Sequence, residues 1–484
     1  MLAPFLSSSA ALTMLGLIMT EITTVIGYTC DPALCKAPSC FCASTNPPGG
    51  IAPQDAPQFI TLTFDDAVQT YTFPAAYSLL SKHQNPNGCT ARGTFFVSIN
   101  YTDYHLVTQL YSSGHEIADH TFTHPELPSQ NEVVSCKAAI NAYAGVPRAK
   151  ISGFRYPFLK YTPDSMQMLH SLGFEYESSL TATDTTAFWP YTLDNGFAND
   201  CYQPGLCAEQ GGPKIPGMFE IPMHAVHDTA KTPHLMDPYL EGTLENVSGW
   251  LRTNFDRHYK GGRAPFGLYV HPAHLSNSPG LPSPQAKVDM LNAFLTYASS
   301  FPDVWFVTNQ QLLTWMRNPV PKSQMANHSA FKCQKPSLTK EICNGLSDLS
   351  SNLTESLGKA DEGLAERCNF PEGSFSTCYG CPSKPPTLSD PLPPPAKASG
   401  SAGARCAVPD NCDTRWWDPV ACQCMCTTDD CKWQDTSRPL DSALADSRKG
   451  KSNGAGLSWT RMADESHWSL LAGGVVALLG MNSM

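Results

Sequence analysis

Two short stretches of this chain bring together residue types that bind metals and move protons. The run Phe59 to Phe64 (FITLTF) leads directly into Asp65 and Asp66. Farther on, Asp119-His120-Thr-Phe-Thr-His124-Pro125 sets two imidazoles four residues apart. Adjacent carboxylates on a strand point to opposite faces, so Asp65 and Asp66 can hold different jobs in one site. One turn of helix would put His120 and His124 on the same face, a spacing suited to a divalent cation. Two histidines and one aspartate make an open three-ligand set that leaves a position for water. Each motif alone has an ordinary reading: a solvated Asp-Asp turn, or two core or surface histidines. His224 and His227, after Glu220-Ile-Pro, read as histidines of a barrel rim rather than a second metal site.

These residues need a scaffold, and the pattern around them alternates strand and helix from about residue 58. Phe59–Phe64 and Thr94–Ile99 are β-branched and aromatic runs suited to buried strands. Helical spacing follows over Tyr104–Tyr111, Glu132–Tyr143 and Asp164–Leu172, with Gly114, Gly145 and Gly173 placed to stop each helix. Later come a helix at Leu244–Tyr259, a strand at Phe266–His271 and a helix at Ala286–Ala298. A strand at Val304–Thr308 and a helix at Gln310–Arg317 close the series. Repeated strand–helix units predict a parallel sheet with helices outside, an α/β barrel whose chemistry sits at the C-terminal ends of its strands.

The residues resemble a family. Thr63-Phe-Asp-Asp66-Ala and His120-Thr-Phe-Thr-His124 look like the first two motifs of the polysaccharide deacetylases (family-four carbohydrate esterases). Gly153-Phe-Arg155-Tyr-Pro157-Phe158, Tyr176-Glu177-Ser-Ser and Phe266-Gly-Leu-Tyr-Val-His271 continue the resemblance in the family's motif order. It covers roughly Cys30 to Val320. The Cys30…Cys35…Cys40-Phe-Cys42 cluster, Trp189-Pro-Tyr-Thr-Leu193 and Trp315-Met-Arg-Asn-Pro319 are similar to animal-type chitin deacetylases. The resemblance implies a distorted (β/α) barrel that removes N-acetyl groups from N-acetylglucosamine units of chitin. Asp66, His120 and His124 would hold Zn2+ or a similar divalent ion such as Co2+. Asp65 would be the general base, Arg155 would hold Asp65, and His271 would be the general acid. The backbone N–H of Phe158 would serve the oxyanion, with Tyr269 and Glu177 beside the substrate. Glu177 stands where the family has an aspartate that tunes the catalytic histidine; Asp184 is a substitute that its spacing disfavours. His274 stands where related enzymes carry a tryptophan, and Tyr156 replaces a smaller residue, with the cleft expected to narrow. The rival to an enzyme is a catalytically weak chitin-binding or matrix-organising protein on the same fold.

Composition agrees with a secreted protein. The 484 residues carry 15% charged residues and a net charge of −11, which leaves no electrostatic footprint for nucleic acid. Nineteen cysteines imply an oxidising compartment, and their odd number leaves at least one unpaired. Residues 1–27 read as a signal peptide. After the barrel, a cysteine-containing extension (321–381), a proline-rich linker (382–405) and a small cysteine-rich module (406–431) follow. Within the module, Trp416 and Trp417 suit either sugar stacking or packing against disulfides. A disordered stalk (432–468) leads to an apolar tail (469–484). Small residues, spacer and short tail match a glycolipid-anchor signal holding the protein to the outer membrane leaflet, with a thin transmembrane span as the alternative. Four N-glycosylation tripeptides begin at Asn100, Asn246, Asn327 and Asn352.

Overall fold

The strand that ends in the aspartate pair, β1 (Gln58–Asp65), is buried at every position. It is the centre of a computed structural model that describes residues 28–425 except 200–211, 277–283, 334–341, 344–363, 399–400, 402, 410–411 and 413. The signal segment, Cys201 and Cys207, the Asn352 tripeptide, the stalk and the apolar tail lie outside the described residues. The chain continues through α1 (Phe73–Ser81), β2 (Thr94–Val97), α2 (Tyr104–Ser112), β3 (Glu116–Asp119) and α3 (Gln130–Ala144). Next are β4 (Gly153–Phe154), α4 (Pro163–Ser171), β5 (Tyr176–Glu177), β6 (Thr181–Ala182), β7 (Tyr191–Thr192), β8 (Phe219–Glu220) and β9 (Met223–His224). The short hairpin β10 (Val226–His227) and β11 (Pro233–His234) precedes α5 (Leu244–Lys260), β12 (Phe266–Val270), α6 (Gln285–Ser299), β13 (Val304–Phe306) and α7 (Asn309–Arg317).

Nine strands form one sheet in the order β12-β1-β2-β3-β4-β5-β8-β7, with β13 also paired to β1. All neighbours are parallel except β7, which runs antiparallel to β8. Between β8 and β12 the ladder is interrupted. There the Tyr269 hydroxyl accepts from the His224 N–H at 2.9 Å, and Met236 bridges Tyr269. The wall is thus curled and closed partly by side chains, which is the distorted barrel expected.

Alternation along β1 decides what faces the site. Ile60, Leu62 and Phe64 pack outward against the helices, whereas Phe59 belongs to a separate cluster inside the barrel with Phe96, Trp189, Trp305 and Trp315. Period two then puts Thr61, Thr63 and Asp65 on the inner side as well. The interior therefore changes from aromatic to polar toward the C-terminal ends of the strands.

The helices begin where side chains can satisfy their first N–H groups. Asp103, Ser129, Thr162, Thr243 and Thr308 cap α2, α3, α4, α5 and α7. Gly145 ends α3 in the left-handed region at φ 66°, and a Cβ there would strike the Tyr379 ring, so it also admits the extension.

The segments after the barrel pack back on it. The antiparallel hairpin β14 (Glu366–Phe370) and β15 (Gly373–Thr377) buries Phe375 against Tyr104 and Tyr143. Leu388 and Leu392, expected within an extended linker, lie against the main core. Trp416 and Trp417 are buried, and their indole N–H groups donate to Ser112 O (2.9 Å) and Cys406 O (3.3 Å). Neither ring is presented for stacking on a sugar. Strands β16 (Trp417–Asp418) and β17 (Gln423–Cys424) complete this module. Seven disulfides link described cysteines, including Cys89–Cys333 across 244 residues, and Cys136 is the free, buried cysteine among them.

Candidate active site

The aspartate pair is split by the backbone. Asp65 ends β1 with only 3% exposure and points inward, while Asp66 takes φ 82° as the chain leaves the strand. Arg155, just beyond β4, is fully buried and donates to Asp65 Oδ1 at 2.7 Å and to Thr63 Oγ1 at 2.8 Å. Its Nε donates to Ser178 O at 2.6 Å, and its guanidinium lies 4.2 Å from the Phe96 ring centroid. A guanidinium this constrained holds one carboxylate orientation, and the pair compensates each charge for leaving water.

Asp66 turns to the histidines. Its Oδ1 lies 3.7 Å from His120 Nε2 and 3.2 Å from His124 Nε2. The histidines converge, but not on the helical turn that their spacing predicts: residues 120–125 form an irregular loop after β3. Thr121 and His124 take φ 72° and 62°. Local hydrogen bonds hold this loop away from helix. Asp119 Oδ1 accepts the Thr121 N–H at 2.8 Å, and Glu132 accepts the Thr123 N–H at 2.7 Å. His120 Nδ1 donates to Arg155 O at 2.8 Å, leaving Nε2 toward Asp66. Burial pushes the His120 imidazole down to about 4 against the pull of Asp65 and Asp66, so the ring is neutral, as a ligand must be.

Four clusters of potential ligands occur among the described residues. Two are built on disulfide-bonded cysteines, Cys30 with Cys35 and Cys42, and Cys343 with Cys378 beside His105. The other two are Asp66 with His120 and His124, and Asp237 with His271 and His274. One carboxylate and two imidazoles, with donor atoms within 4.8 Å of one another, fit a zinc-like ion at the first.

His271 follows β12 at the same rim. Its Nδ1 donates to Asp237 Oδ2 at 2.5 Å and its backbone N–H to Asp237 Oδ1 at 2.8 Å. Burial lowers the imidazole, but the hydrogen bond and charge of Asp237, with Asp65 and Asp66 beyond, raise it to about 9. Burial would raise Asp237, yet His271, His274 and Tyr239 together hold it well below the usual carboxylate range. Asp237 itself sits in the left-handed region at φ 48°, ahead of Pro238, with its N–H on Tyr269 O.

Asp237 is the residue that sequence reasoning missed, and it corrects the reading of Glu177. Glu177 is fully buried and faces Glu220, its parallel partner on β8, rather than His271 or the cleft. Burial raises both carboxyls, Glu220 the further because Glu177 stands against it. Asp184 accepts the Thr186 N–H at 2.6 Å in its own turn. Tyr269 also departs from its expected substrate role. It is 3% exposed, and its hydroxyl is engaged with His224 N–H and Pro222 O. Tyr156 packs inward between Phe154 and Tyr161 and does not narrow the cleft. Phe158 does sit at the rim, 58% exposed, with φ 55° and its ring 4.8 Å from that of His124. His224 and His227 place Nε2 on Phe188 O and Thr183 O, as structural histidines do.

The family profile described as Polysaccharide deacetylase matches residues 52–177. Chitin deacetylase 8 of Bombyx mori is 32% identical over 344 residues, covering 67% of this chain and 87% of that protein. Chitin deacetylase 1 of the same species is 29% identical over 393 residues, covering 75% and 68%. The chitin deacetylase structure from the fungal pathogen Colletotrichum lindemuthianum shares 17% identity at a TM-score of 0.31, covering 57% of this chain and 95% of that one.

Proposed function

The chain belongs to the polysaccharide deacetylase family, and from that premise we propose that it hydrolyses N-acetyl groups from the N-acetylglucosamine units of chitin. Acetate and glucosamine units of a chitosan-like polymer are the products. The observation that carries the reading is one rim holding three arrangements: Asp65 on Arg155, Asp66 between His120 and His124, and His271 on Asp237.

Asp66, His120 and His124 would hold a divalent cation, most simply Zn2+, which when bound supplies Lewis acidity toward the acetyl carbonyl. The remaining work falls to this chain's own groups. Asp65, held in one orientation by Arg155, accepts a proton from the attacking water. The new oxygen–carbon bond puts charge on the former carbonyl oxygen, and the Phe158 N–H is offered to it from the exposed rim. His271 then gives its proton to the sugar nitrogen as the carbon–nitrogen bond breaks. Asp237 keeps that imidazole protonated and oriented through Nδ1, leaving Nε2 for the substrate. Neutral sugars need no basic groove, in keeping with the net charge of −11.

Disulfides of this density form in an oxidising compartment, which supports export through the secretory pathway. Attachment to the outer leaflet through the tail and glycosylation at the exposed Asn100, Asn246 and Asn327 belong to the same proposal. The enzymatic reading is tested by incubating the protein with chitin oligomers. Acetate release should vanish with chelator and in Asp65→Asn; release that survives both would refute it.

A further inference from the structure

We infer that Asp237, His271 and His274 form a second divalent-cation site, separate from Asp66, His120 and His124, whose occupation switches the enzyme off. The carboxylate is preset for it. Asp237 Oδ1 is taken by the His271 N–H at 2.8 Å and by the Tyr239 hydroxyl, which fixes the plane and aims Oδ2 alone at the two rings. Onto that one oxygen converge His271 Nδ1 at 2.5 Å and His274 Nδ1 at 2.9 Å. The histidines stand three residues apart, His271 just before the turn Pro272–Leu275 and His274 within it, and the His274 N–H donates to His271 O at 3.0 Å. Their ring centroids are 5.4 Å apart, and the three donor atoms lie within 4.8 Å of one another.

A carboxylate and two imidazoles are a donor set for Zn2+ or a similar borderline cation. Ligand distances of about 2.0–2.1 Å ask neighbouring donors in a tetrahedron to stand about 3.3 Å apart. The observed Oδ2 to Nδ1 separations, 2.5 Å at His271 and 2.9 Å at His274, must therefore open by about 0.8 Å and about 0.4 Å. Both rings can shift, since their side chains are 25% and 45% exposed. The cation takes the place of the two Nδ1 protons, which pass to Nε2 of a neutral ring or to water from a charged one. His271 then keeps only the Nε2 proton of a neutral, metal-bound imidazole, whose loss would leave an imidazolate, so it is a much weaker acid than the imidazolium it replaces. Zinc beyond the first equivalent would thus weaken the general acid while leaving the first site loaded. The site itself depends only on geometry; its inhibitory consequence rests on the function proposed above.

The test counts metal and activity together. Protein carrying one equivalent of zinc is dialysed against rising free Zn2+, and bound zinc per chain and deacetylation of chitin oligomers are followed. The wild type should take up a second zinc and lose at least about tenfold in rate, because general acid catalysis contributes about 10²–10⁴. His274→Gln and His274→Trp should each retain one zinc and keep their own starting rates through the same range. One zinc in the wild type, or a second zinc held equally by both variants, overturns the site. A second zinc that leaves the rate unchanged overturns the switch. The metal count needs no turnover, so a protein inactive on chitin that binds two zinc ions refutes the function and not the site.

Discussion

Replacing Asp237 by Asn separates the charge of this residue from its shape. The wild-type His271 is raised from 6.5 to about 9, with burial working against the rise and Asp237 supplying its largest favourable contributions. Without the carboxylate charge, burial returns the imidazole to about 6.5 or below, a change worth about 3 kcal/mol at 1.36 kcal/mol per unit. The alkaline limb of the rate profile should move down by about two units or more. At pH 8 the protonated fraction of His271 falls from about 0.9 to about 0.03, so the rate falls about 30-fold from protonation alone. Below about pH 6 both proteins carry the proton, and the loss shrinks to whatever misorientation costs. A cation at the neighbouring site repels His271 in both proteins, so the displacement between limbs survives it. Stability gives a second readout with a defined sign. A histidine raised in the folded state contributes stability that is complete below about pH 6.5 and is lost as pH rises through about 9. The melting temperatures of wild type and Asp237→Asn should therefore differ most at low pH and converge toward pH 10. An unchanged alkaline limb, with a uniform loss at every pH, would refute the reasoning and reduce Asp237 to an orienting group.

Removing one imidazole with His124→Ala should reduce bound metal and activity together, by at least the 10-fold in affinity that loss of a group merely supporting a ligand costs; metal counting after dialysis checks it, and full retention would place the ion elsewhere. Arg155→Met leaves Asp65 buried without a counter-charge, so unfolding free energy should fall by about 3–5 kcal/mol, read by denaturant titration, along with activity. The buried Glu177–Glu220 pair has the opposite sign from a usual surface carboxylate. Its raised folded pKa gives stability that is present below about 4.5 and is lost as pH rises through the folded value. Glu220→Gln should accordingly melt higher than wild type at neutral and alkaline pH and lose that advantage near pH 4.

The proposed ligand and base positions were legible because each lies in a contiguous motif at the end of a strong apolar strand. FITLTF reads as a buried strand and hands Asp65 and Asp66 to the rim, and FGLYV does the same for His271. The helix expected at 120–124 was an error of local structure, although the two imidazoles still converge on Asp66. Spacing of four is satisfied equally by a loop whose N–H groups are captured by Asp119 and Glu132, and no periodicity reveals those captures. Tyr269 and Glu177 misled for the same reason as each other. Motif membership says that a residue matters, but strand alternation and the curl of the sheet turned one hydroxyl into the wall and one carboxyl against Glu220.

By itself the sequence determined the alternation of strands and helices, the glycine stop after α3, the metal-type donor set and the family. These depend on neighbours along the chain, where propensity, capping and motif spacing act. Only the tertiary structure decided that Asp237 serves His271, that His274 shares the same carboxylate oxygen, and that the segments after residue 364 pack on the barrel. Those pairings join residues 34 and more apart in sequence, through an aspartate in left-handed backbone on an irregular segment. A hydrogen bond of that kind has no period, and the partners meet only where the segment carrying Asp237 docks on β12 through the Asp237 N–H and Tyr269 O.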